Sequence, residues 1–505
     1  MSSPTREYDF VVIGAGSAGC AVAHALASKE AGSILVIEAG PSDRYPLVRM
    51  PFGLVWMMGT KSRDWQYRST PQEGLGGRAI GIPRGKMIGG SGSINSMVWF
   101  RGRADDFRDW NLDGWGWDEV RTAFEEVESH TTPDRFDNAH PLTQSLSTLL
   151  GGNDPEGKVD PERESAGVFR FNMRNGRRWS AADAFLRPAM AKGVQVLQNN
   201  QVDRIGVVNG VARRVIFTDG TVVRARKGIV LSSGSIGSPE IMLRSGLGPA
   251  DDLKAAGIDV VADLPGVGDN LHDHPGAAIF YKGSGSGYGL DPSLAHRWAA
   301  APLQWALLRR GIFGSPTVEG GAVFNAANDG GPPDIQSHFI PFRLDWTGKK
   351  YPTGRGYFAD ACLCRPKSRG RLYMTKDGLQ IDLGLFKDER DLDTLTKGWL
   401  RLRALMQEAD FGPYRAPEAH PGEAVQSFEQ ARDYIRAGAG TAYHPVGTLA
   451  MGEDTPVTPR CKVRGLDGLW VADASVMPSI TSNNTNAPSM MIGHRAGHMI
   501  AEDAA

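Results

Sequence analysis

The feature that most constrains this chain is a glycine-rich turn that directly follows an apolar run near its start. The run Phe10–Ile13 is short enough for a buried parallel strand. Gly14, Gly16 and Gly19 follow in the G-x-G-x-x-G spacing and lead into an alanine-rich helical stretch. The first glycine permits a tight turn, the second lets backbone approach a pyrophosphate, and the third lets the helix pack on the strand. The pattern predicts an α/β nucleotide site.

A second strand and an acidic residue complete this pattern. The apolar segment SILVIEAG contains Glu38, which lies 19 residues after Gly19. A carboxylate at this distance can bind ribose hydroxyls. A lone G-x-G-x-x-G would also suit a glycine-rich turn in an unrelated α/β protein. Strand, glycines, helix, strand and acid in this order predict a dinucleotide site, but the fingerprint does not separate NAD from FAD.

Bulk composition narrows the class of protein. A chain of 505 residues is too long for one simple core, so two domains or more are expected. The net charge of −1 does not favour binding to nucleic acid or to an acidic membrane. The sequence begins without the pattern of an export signal and contains no run of about 20 apolar residues. We therefore expect a cytoplasmic protein without a membrane span.

Cysteine and histidine spacing predicts neither a metal site nor a disulfide framework. Cys362 and Cys364 form a C-x-C pair without the second pair that a zinc site would need. His272 and His274 form an H-x-H pair, but the sequence offers no evident third ligand. We expect no bound metal.

A second glycine cluster spans Pro83 to Gly102 and contains the apolar residues Ile94, Met97 and Val98. A mobile surface loop would not carry these apolar side chains. The cluster is instead typical of a loop that approaches a large flat or anionic ligand.

Five segments, in order along nearly the whole chain, resemble the glucose–methanol–choline (GMC) family of FAD oxidoreductases. They are GKMIGGSGSINSMVWFRG from Gly85, GSIGSPEIMLRSGLG (Gly234–Gly248), LPGVGDNLHDHPG (Leu264–Gly276), TAYHPVGTLAMG (Thr441–Gly452) and VRGLDGLWVADASVMPSITSNNTNAPSMMIG (Val463–Gly493). Residues 280–435 carry looser matches, such as PPDIQSHFIP. Substrate contacts are expected in that middle section.

The resemblance implies an α/β fold with a Rossmann-type FAD-binding domain and a second, substrate-binding domain built on an antiparallel or mixed sheet. The FAD-binding domain is expected to be discontinuous. It would comprise residues 1–150, 195–285 and 440–505, and the substrate-binding domain would comprise residues 150–195 and 285–440.

The resemblance also implies which residues contact FAD. Some family members attach FAD covalently through a histidine just before the asparagine of the glycine cluster, but this chain has Ile94 there, so non-covalent FAD is predicted. The expected cofactor-binding residues are Gly14, Gly16, Ser17, Ala18, Gly19, Glu38, Ala39, Gly90, Asn95, Ser96, Met97, Val98, Val202, Asp473, Ala474, Asn484 and Thr485.

Two residues match the catalytic positions of the family. The base of its H-P-x-G-T motif corresponds to His444, and its partner corresponds to Asn484, 40 residues further on. A neutral imidazole can take the hydroxyl proton of an alcohol while hydride moves to flavin N5. A neutral amide can hold the substrate oxygen without competing for that proton. The expected reaction is oxidation of a primary alcohol to an aldehyde.

Several alternatives remain open at this stage. The electron acceptor could be oxygen or a quinone, and the substrate a choline-like, aryl, furanic, aliphatic or sugar alcohol. A non-redox lyase on the same fold, similar to hydroxynitrile lyases, is the alternative function. Glu319 could bind a cationic substrate or serve a structural role, and His338 could face the substrate. His494 and His498, four residues apart on a predicted C-terminal helix, are expected at the surface.

Overall fold

The structure is a computed structural model that describes residues 6–151, 159–283, 285, 287–343 and 354–504. Two seven-stranded sheets organise the described chain. The first sheet is mixed and has a parallel core, and the second sheet is antiparallel throughout. These two sheets confirm the predicted fold class, an α/β nucleotide-binding fold with a second sheet for the substrate.

The first sheet is built around the strand that precedes the glycine turn. Arg6–Ile13 pairs in parallel with Ile34–Ile37 on one side and with Val222–Leu231 on the other. All four residues of Ile34–Ile37 are buried, as expected for a parallel strand that is covered on both faces. The strand order is Gln195–Leu197, Ile34–Ile37, Arg6–Ile13, Val222–Leu231, Val211–Phe217 and Val202–Val208, with Leu469–Val471 pairing alongside Val222–Leu231.

The first and the last long helix of the chain pack against each other beside this sheet. Ser17–Ser28 follows the glycine turn, and Asn486–Asp503 lies against it. A Cβ atom added to Gly493 would lie 2.3 Å from the carbonyl oxygen of Ala18, so only glycine permits this approach. The C-terminal segment that carries Asn484 is thereby held close to the nucleotide turn.

The same packing corrects one expectation. His494 is buried, with 5% of its surface exposed, and its Nε2 lies 2.7 Å from Oε2 of Glu126. His498 is half-buried. The prediction that both lie at the surface is wrong for His494, because its helix is covered by both Ser17–Ser28 and Trp117–Thr131.

The second sheet contains strands from the middle of the chain and from both of its flanks. Its order is Glu418–His420, Pro275–Lys282, Gly356–Leu363, Ile335–Ile340, Gly320–Phe324 and Ser165–Val168, with Gly440–Thr441 also pairing with Pro275–Lys282. Pro275–Lys282 thus joins the second sheet, although the predicted domain boundary at 285 would place it with the first. Its partner Gly356–Leu363 fixes it there through continuous antiparallel pairing.

The remaining elements surround the two sheets. The other helices are Pro46–Arg49, Leu54–Met57, Ala104–Arg108, Trp117–Thr131, Pro141–Gln144, Arg187–Ala191, Gly234–Arg244, Ala250–Ala256, Ala295–Leu308, Glu389–Glu408 and Phe428–Gly438, with a π-helical turn at Ala182–Leu186. Small two-stranded pairs join Tyr67–Arg68 to Gly81–Ile82, Asp134–Arg135 to Arg170–Phe171, Met173–Arg174 to Arg177–Arg178, Leu247–Gly248 to Ala262–Asp263, and Arg371–Thr375 to Gly378–Asp382. Within the described ranges, no helix combines the length and the apolar character that a membrane crossing requires.

Candidate active site

The glycine turn has the shape of a phosphate cradle. Gly14 has φ +101°, and a Cβ there would lie 2.4 Å from the carbonyl oxygen of Ser232. A Cβ on Gly19 would lie 2.0 Å from the carbonyl oxygen of Gly14. By contrast, a Cβ on Gly16 would meet only the Ser232 oxygen, at 4.0 Å. Gly14 and Gly19 are therefore required by the protein itself, whereas Gly16 borders open space that a pyrophosphate can fill.

Glu38 lies directly after Ile34–Ile37, at the edge of the sheet where the turn opens. Its Oε2 accepts a hydrogen bond from the Ala15 amide at 3.0 Å, and its Oε1 accepts one from the Gly40 amide at 2.9 Å. Burial raises the pKa of Glu38 to about 7, although these amides oppose the shift. Ala39, beside it, is half-buried. The backbone amides of Ala15 and Gly40 thus hold the carboxylate between the glycine turn and the end of the strand Ile34–Ile37.

The second glycine cluster packs onto the first. A Cβ on Gly90 would lie 2.8 Å from Cα of Gly16, so the two loops touch through bare backbone. Asn95 Oδ1 accepts hydrogen bonds from the Met97 amide at 3.0 Å and from Nη1 of Arg178 at 2.7 Å. Ser96 Oγ lies 3.3 Å from Oγ1 of Thr317 on the side of the second sheet. The loop therefore runs between the nucleotide turn and the second sheet.

The C-terminal segment closes the other side of this cleft. Asp473 Oδ2 accepts hydrogen bonds from the Gly234 amide at 2.8 Å and from Ser238 Oγ at 2.6 Å. Burial raises the pKa of Asp473. Ser17 Oγ, at the start of the first helix, donates to Oδ1 of Asn486 at 2.7 Å. The turn and the C-terminal segment are thus tied together directly.

Contacts between Gly16 and Gly90 and between Ser17 and Asn486 bring the two glycine loops and the C-terminal segment together. Two buried polar atoms near this cleft, Nη2 of Arg178 and Nδ2 of Asn486, have no hydrogen-bond partner among the described residues. Together with the open space over Gly16, they fit a large polar ligand such as FAD. Other residues that were predicted to contact the cofactor have backbone partners within the protein. Val98 forms a β-bridge with Phe171, Val202 begins a strand of the first sheet, and the Ala474 carbonyl accepts a hydrogen bond from the Gly447 amide. Ala18 is buried, and Thr485 precedes the C-terminal helix.

His444 and Asn484 meet at the end of the cleft. Nε2 of His444 lies 3.2 Å from Nδ2 of Asn484, and Nδ1 of His444 lies 3.1 Å from Nδ1 of His274. The backbone amide of His444 donates to Oδ1 of Asp273 at 2.8 Å. Both ring nitrogens and the backbone of His444 therefore have fixed partners, and Nε2 is the nitrogen directed towards Asn484.

Burial and nearby positive groups keep this imidazole neutral. Burial lowers the pKa of His444 well below its usual range, and electrostatic interactions with His274, His338 and Arg84 lower it further. Arg84 lies beside the motif and donates from Nη2 to the Tyr443 carbonyl at 2.5 Å. A neutral imidazole has a free lone pair on one nitrogen, as a general base requires.

His338 also belongs to this cluster, together with two residues that the sequence did not single out. Gln336 Nε2 donates to Oδ1 of Asn484 at 3.0 Å, and Nδ1 of His338 lies 3.0 Å from Oδ1 of Asp360. Gln336 and His338 alternate along Ile335–Ile340, so both point to the same face of the sheet. Asp360 comes from the neighbouring strand. The alternation of side chains along a strand could have predicted that Gln336 and His338 lie together. The proximity of Asp360 depends on the register between the two strands, which the sequence does not show.

Backbone strain marks the same region. Tyr443 and Asn483, the residues directly before His444 and Asn484, have φ values of +64° and +68°. Met97 and Thr317, which lie across the cleft, have φ values of +60° and +72°. A left-handed conformation is rare for residues other than glycine, and especially for a β-branched threonine. Such strain tends to cluster where a fold holds functional groups in fixed positions.

Glu319 has a structural environment. It is fully buried, and its oxygens accept hydrogen bonds from the His140 amide at 2.7 Å, from Thr143 Oγ1 at 2.9 Å and from Ser315 Oγ at 2.8 Å. Burial raises its pKa to about 7. Of the two roles that the sequence left open, these contacts favour the structural one.

Comparison with known proteins agrees with this architecture. Sequence models described as GMC oxidoreductase match residues 8–276 and 366–493. The chain is 36% identical to an oxygen-dependent choline dehydrogenase from Rhizobium etli, over 97% of this chain and 95% of that protein. It is 32% identical to an alcohol dehydrogenase (acceptor) from Pseudomonas putida, over 98% and 95% of the two chains.

A solved structure shares the fold over its whole length. Pyridoxine 4-oxidase from Mesorbium loti superposes with a TM-score of 0.84 at 27% identity, covering 97% of this chain and 98% of the other. The two sequence models together match more than half of the chain, and they include the glycine turn and the His444 and Asn484 segments. The chain belongs to the glucose–methanol–choline (GMC) oxidoreductase family.

Proposed function

We propose that this GMC oxidoreductase oxidises a primary alcohol to an aldehyde, with His444 as the base and Asn484 as the group that positions the substrate oxygen. The single observation that carries the proposal is the 3.2 Å approach of Asn484 Nδ2 to Nε2 of His444 at the end of the cofactor cleft. An alcohol oxygen that lies beside both nitrogens could give its proton to Nε2 of His444 and accept a hydrogen bond from Nδ2 of Asn484.

FAD is the cofactor that the family and the cleft support. The glycine turn, Glu38 and the Asn95–Val98 loop would hold it, with the C-terminal segment around Asp473 on its other side. When bound, FAD supplies a two-electron acceptor for the hydrogen on the alcohol carbon. We propose that it is bound without a covalent link, because Ile94 is aliphatic and packs among Val48, Met57 and Met87. Acid precipitation of the yellow protein should release all the flavin into solution.

The role of the chain itself is to hold and move one proton. His444 is neutral because burial and neighbouring charges lower its pKa, so Nε2 can take the hydroxyl proton near neutral pH. Asp273 fixes the backbone of His444, and His274 contacts its other ring nitrogen. The amide of Asn484 stabilises the negative charge that develops on the substrate oxygen.

The experiment that tests this proposal is anaerobic reduction of the flavin. Purified holoenzyme is mixed with choline, benzyl alcohol, furfuryl alcohol, 1-hexanol and glucose, and the visible flavin absorbance is followed. Bleaching by at least one primary alcohol is expected, whereas a lyase would leave the flavin oxidised. Admission of air then separates the two acceptor classes, because rapid return of the colour indicates oxygen and persistence of the reduced state indicates a quinone or similar acceptor.

The His444→Ala variant tests the base. We expect it to bind FAD normally and to reduce it about 10²–10⁴-fold more slowly, which is the usual contribution of a general base. A His498→Ala variant serves as the control, since that residue lies far along the C-terminal helix and should leave the rate unchanged. Normal reduction by His444→Ala would show that another group takes the proton.

A further inference from the structure

Asp360 and His338 face each other across two strands of the second sheet. Ile335–Ile340 pairs antiparallel with Gly356–Leu363, and His338 is directly opposite Asp360 in the register. The row continues through Gly321 on the next strand, where a side chain would collide with the Ser337 carbonyl. The two polar side chains therefore stand side by side, and the third position of this row admits only glycine.

The contact between Asp360 and His338 determines which ring nitrogen of His338 carries a hydrogen. Oδ1 of Asp360 accepts a hydrogen bond from the His338 backbone amide at 2.8 Å and lies 3.0 Å from Nδ1 of its ring. An ionised carboxylate can only accept hydrogen bonds. Nδ1 of His338 therefore carries a hydrogen, and Nε2 is the nitrogen left for the rest of the site.

The other side of the ring meets Asn484. Hydrogen bonding with the Asn484 side chain contributes to the raised pKa of His338, and Oδ1 of Asn484 accepts a hydrogen bond from Nε2 of Gln336 at 3.0 Å. If His338 carries both protons, Nε2–H donates to the amide oxygen, and Nδ2 is left to face His444. If His338 carries only the Nδ1 proton, its Nε2 can only accept, which favours the reversed amide.

The orientation of that amide decides whether His444 can act as a base. With Nδ2 directed at His444, an amide N–H donates to the lone pair of Nε2, so this nitrogen carries no hydrogen and can take the proton of an alcohol that replaces the contact. With the amide reversed, its oxygen would favour a hydrogen on Nε2 of His444, and that nitrogen could not take a proton. We propose that the Asp360–His338 ion pair sets the Asn484 amide in the first orientation, so that Asp360 and His338 are positioning residues for the proposed alcohol oxidation.

The charges around His338 are compatible with a cation there. Burial lowers the pKa of His338, but the charge and hydrogen bond of Asp360 and the bond to Asn484 outweigh it, so that the pKa is raised. The facing groups are neutral: burial lowers the pKa of His274 to about 3, lowers that of His444, and raises that of the Cys362 thiol, whose sulfur lies 3.9 Å from Nδ1. Since these neighbours are neutral, Asp360 is the counter-ion of a protonated His338.

The kinetic test compares Asp360→Asn with the wild type. The rate of anaerobic flavin reduction by the fastest alcohol of the panel is measured from pH 5 to pH 10. We expect the wild-type rate to fall at high pH as His338 loses its proton, and Asp360→Asn to move that fall down by about one pH unit or more. At pH 8 the variant should be about 10–100-fold slower, with little change in the alcohol concentration that gives half the maximal rate.

Two further variants separate positioning from a merely structural effect. Asp334→Asn is the matched control, because Asp334 lies just before the same strand and its carboxylate binds the Ala326 amide instead of His338. It should leave the pH profile unmoved. In an Asn484→Ala background, Asp360→Asn should cause less than about a 3-fold further loss, since residues that act through one another are not additive. Full additivity would overturn the proposal.

The protonation state of His338 can be measured without substrate, and this measurement tests the inference independently of the reaction. The holoenzyme is labelled with ¹⁵N-histidine, and His338→Gln identifies the ring signals of His338 by their disappearance. At pH 7 both ring nitrogens of His338 should be protonated in the wild type, and one should become unprotonated in Asp360→Asn. A neutral His338 in the wild type would refute the inference. If no alcohol reduces the flavin, the proposed function fails, yet this measurement still tests the ion pair.

Discussion

The two sheets build their parts of the site in opposite ways. The first sheet presents its cofactor cradle through residues that are neighbours in sequence, since Gly14, Gly16 and Gly19 lie within one turn. The second sheet presents His338, Asp360 and Gln336, which become neighbours only through the register of two strands. Hard-sphere limits on the backbone fix the first arrangement, whereas pairing between two strands that are separate in the sequence fixes the second.

Each region contains a buried glutamate, and the two glutamates differ in their surroundings. Burial raises the pKa of both Glu38 and Glu319 to about 7. Glu38 is held by the backbone amides of Ala15 and Gly40 beside the glycine turn. Glu319 is enclosed by an amide and two hydroxyls and has no exposed surface. Similar pKa values therefore accompany different surroundings: two backbone amides for Glu38, and one backbone amide with two hydroxyls for Glu319.

The largest effect is expected from a substitution in the glycine turn, where Gly14→Ala and Gly16→Ala should have different consequences. Gly14→Ala places a Cβ 2.4 Å from the Ser232 oxygen at a φ of +101°, so we expect it to cost more than about 4 kcal/mol and to yield little folded protein. Gly16→Ala has room, because its nearest neighbour is 4.0 Å away and its φ is −76°. It should fold normally and lose FAD affinity.

The measurement is the flavin content of each purified variant, together with its unfolding midpoint in urea without added FAD. A Gly16→Ala protein that keeps wild-type affinity for FAD would mean that the pyrophosphate does not lie over this turn. Equal damage from both substitutions would mean that the distinction between a ligand-facing and a protein-facing glycine is wrong.

This contrast also explains how much the sequence could predict. The first sheet, its glycine turn, Glu38 and the order of its strands near the start follow from local patterns, because each feature constrains residues only a few positions away. The pairing of His444 with Asn484 followed from the family resemblance. Asp360 could not be found in this way, since an isolated aspartate in an apolar segment has no local signature and gains its role from the strand beside it.

The same limit accounts for the misplaced residues. His494 was expected at the surface because a histidine in a terminal helix is usually exposed, but the glycines at 493 and 497 let that helix approach the first helix closely. Pro275–Lys282 was grouped with the nucleotide domain by its position in the chain, and its antiparallel partner places it in the second sheet. Both outcomes depend on contacts between distant segments.

An effect of intermediate size is expected on the pH dependence of stability at Glu319. Between about pH 4.5 and pH 7 folded Glu319 keeps its proton while the unfolded chain has lost it, so its contribution to the free energy of unfolding falls as the pH rises. Glu319→Gln cannot lose a proton. Relative to the wild type, it should therefore be more favourable at pH 8 than at pH 5, by about 3 kcal/mol.

Urea unfolding at the two pH values, with saturating FAD, measures this difference. Substrate preference across the alcohol panel should be unchanged in Glu319→Gln, whereas Glu38→Gln should alter FAD affinity. A variant at Glu319 that selectively loses activity with choline would reverse the structural assignment and give this carboxylate a substrate contact.

The smallest effect is expected on the helix Ala295–Leu308, which belongs to neither sheet. Leu307 is 72% exposed, whereas Ile312, a few residues beyond the helix, is 4% exposed within a cluster that includes Phe52 and Phe342. Leu307→Ser should change the free energy of unfolding by less than about 0.5 kcal/mol, because it removes little buried surface. Ile312→Ala, the buried control, should cost about 2–5 kcal/mol. A cost for Leu307→Ser that approaches the control would show that the outer face of this helix is covered in solution, and the contrast between two ordered sheets and one peripheral helix would then have to be redrawn.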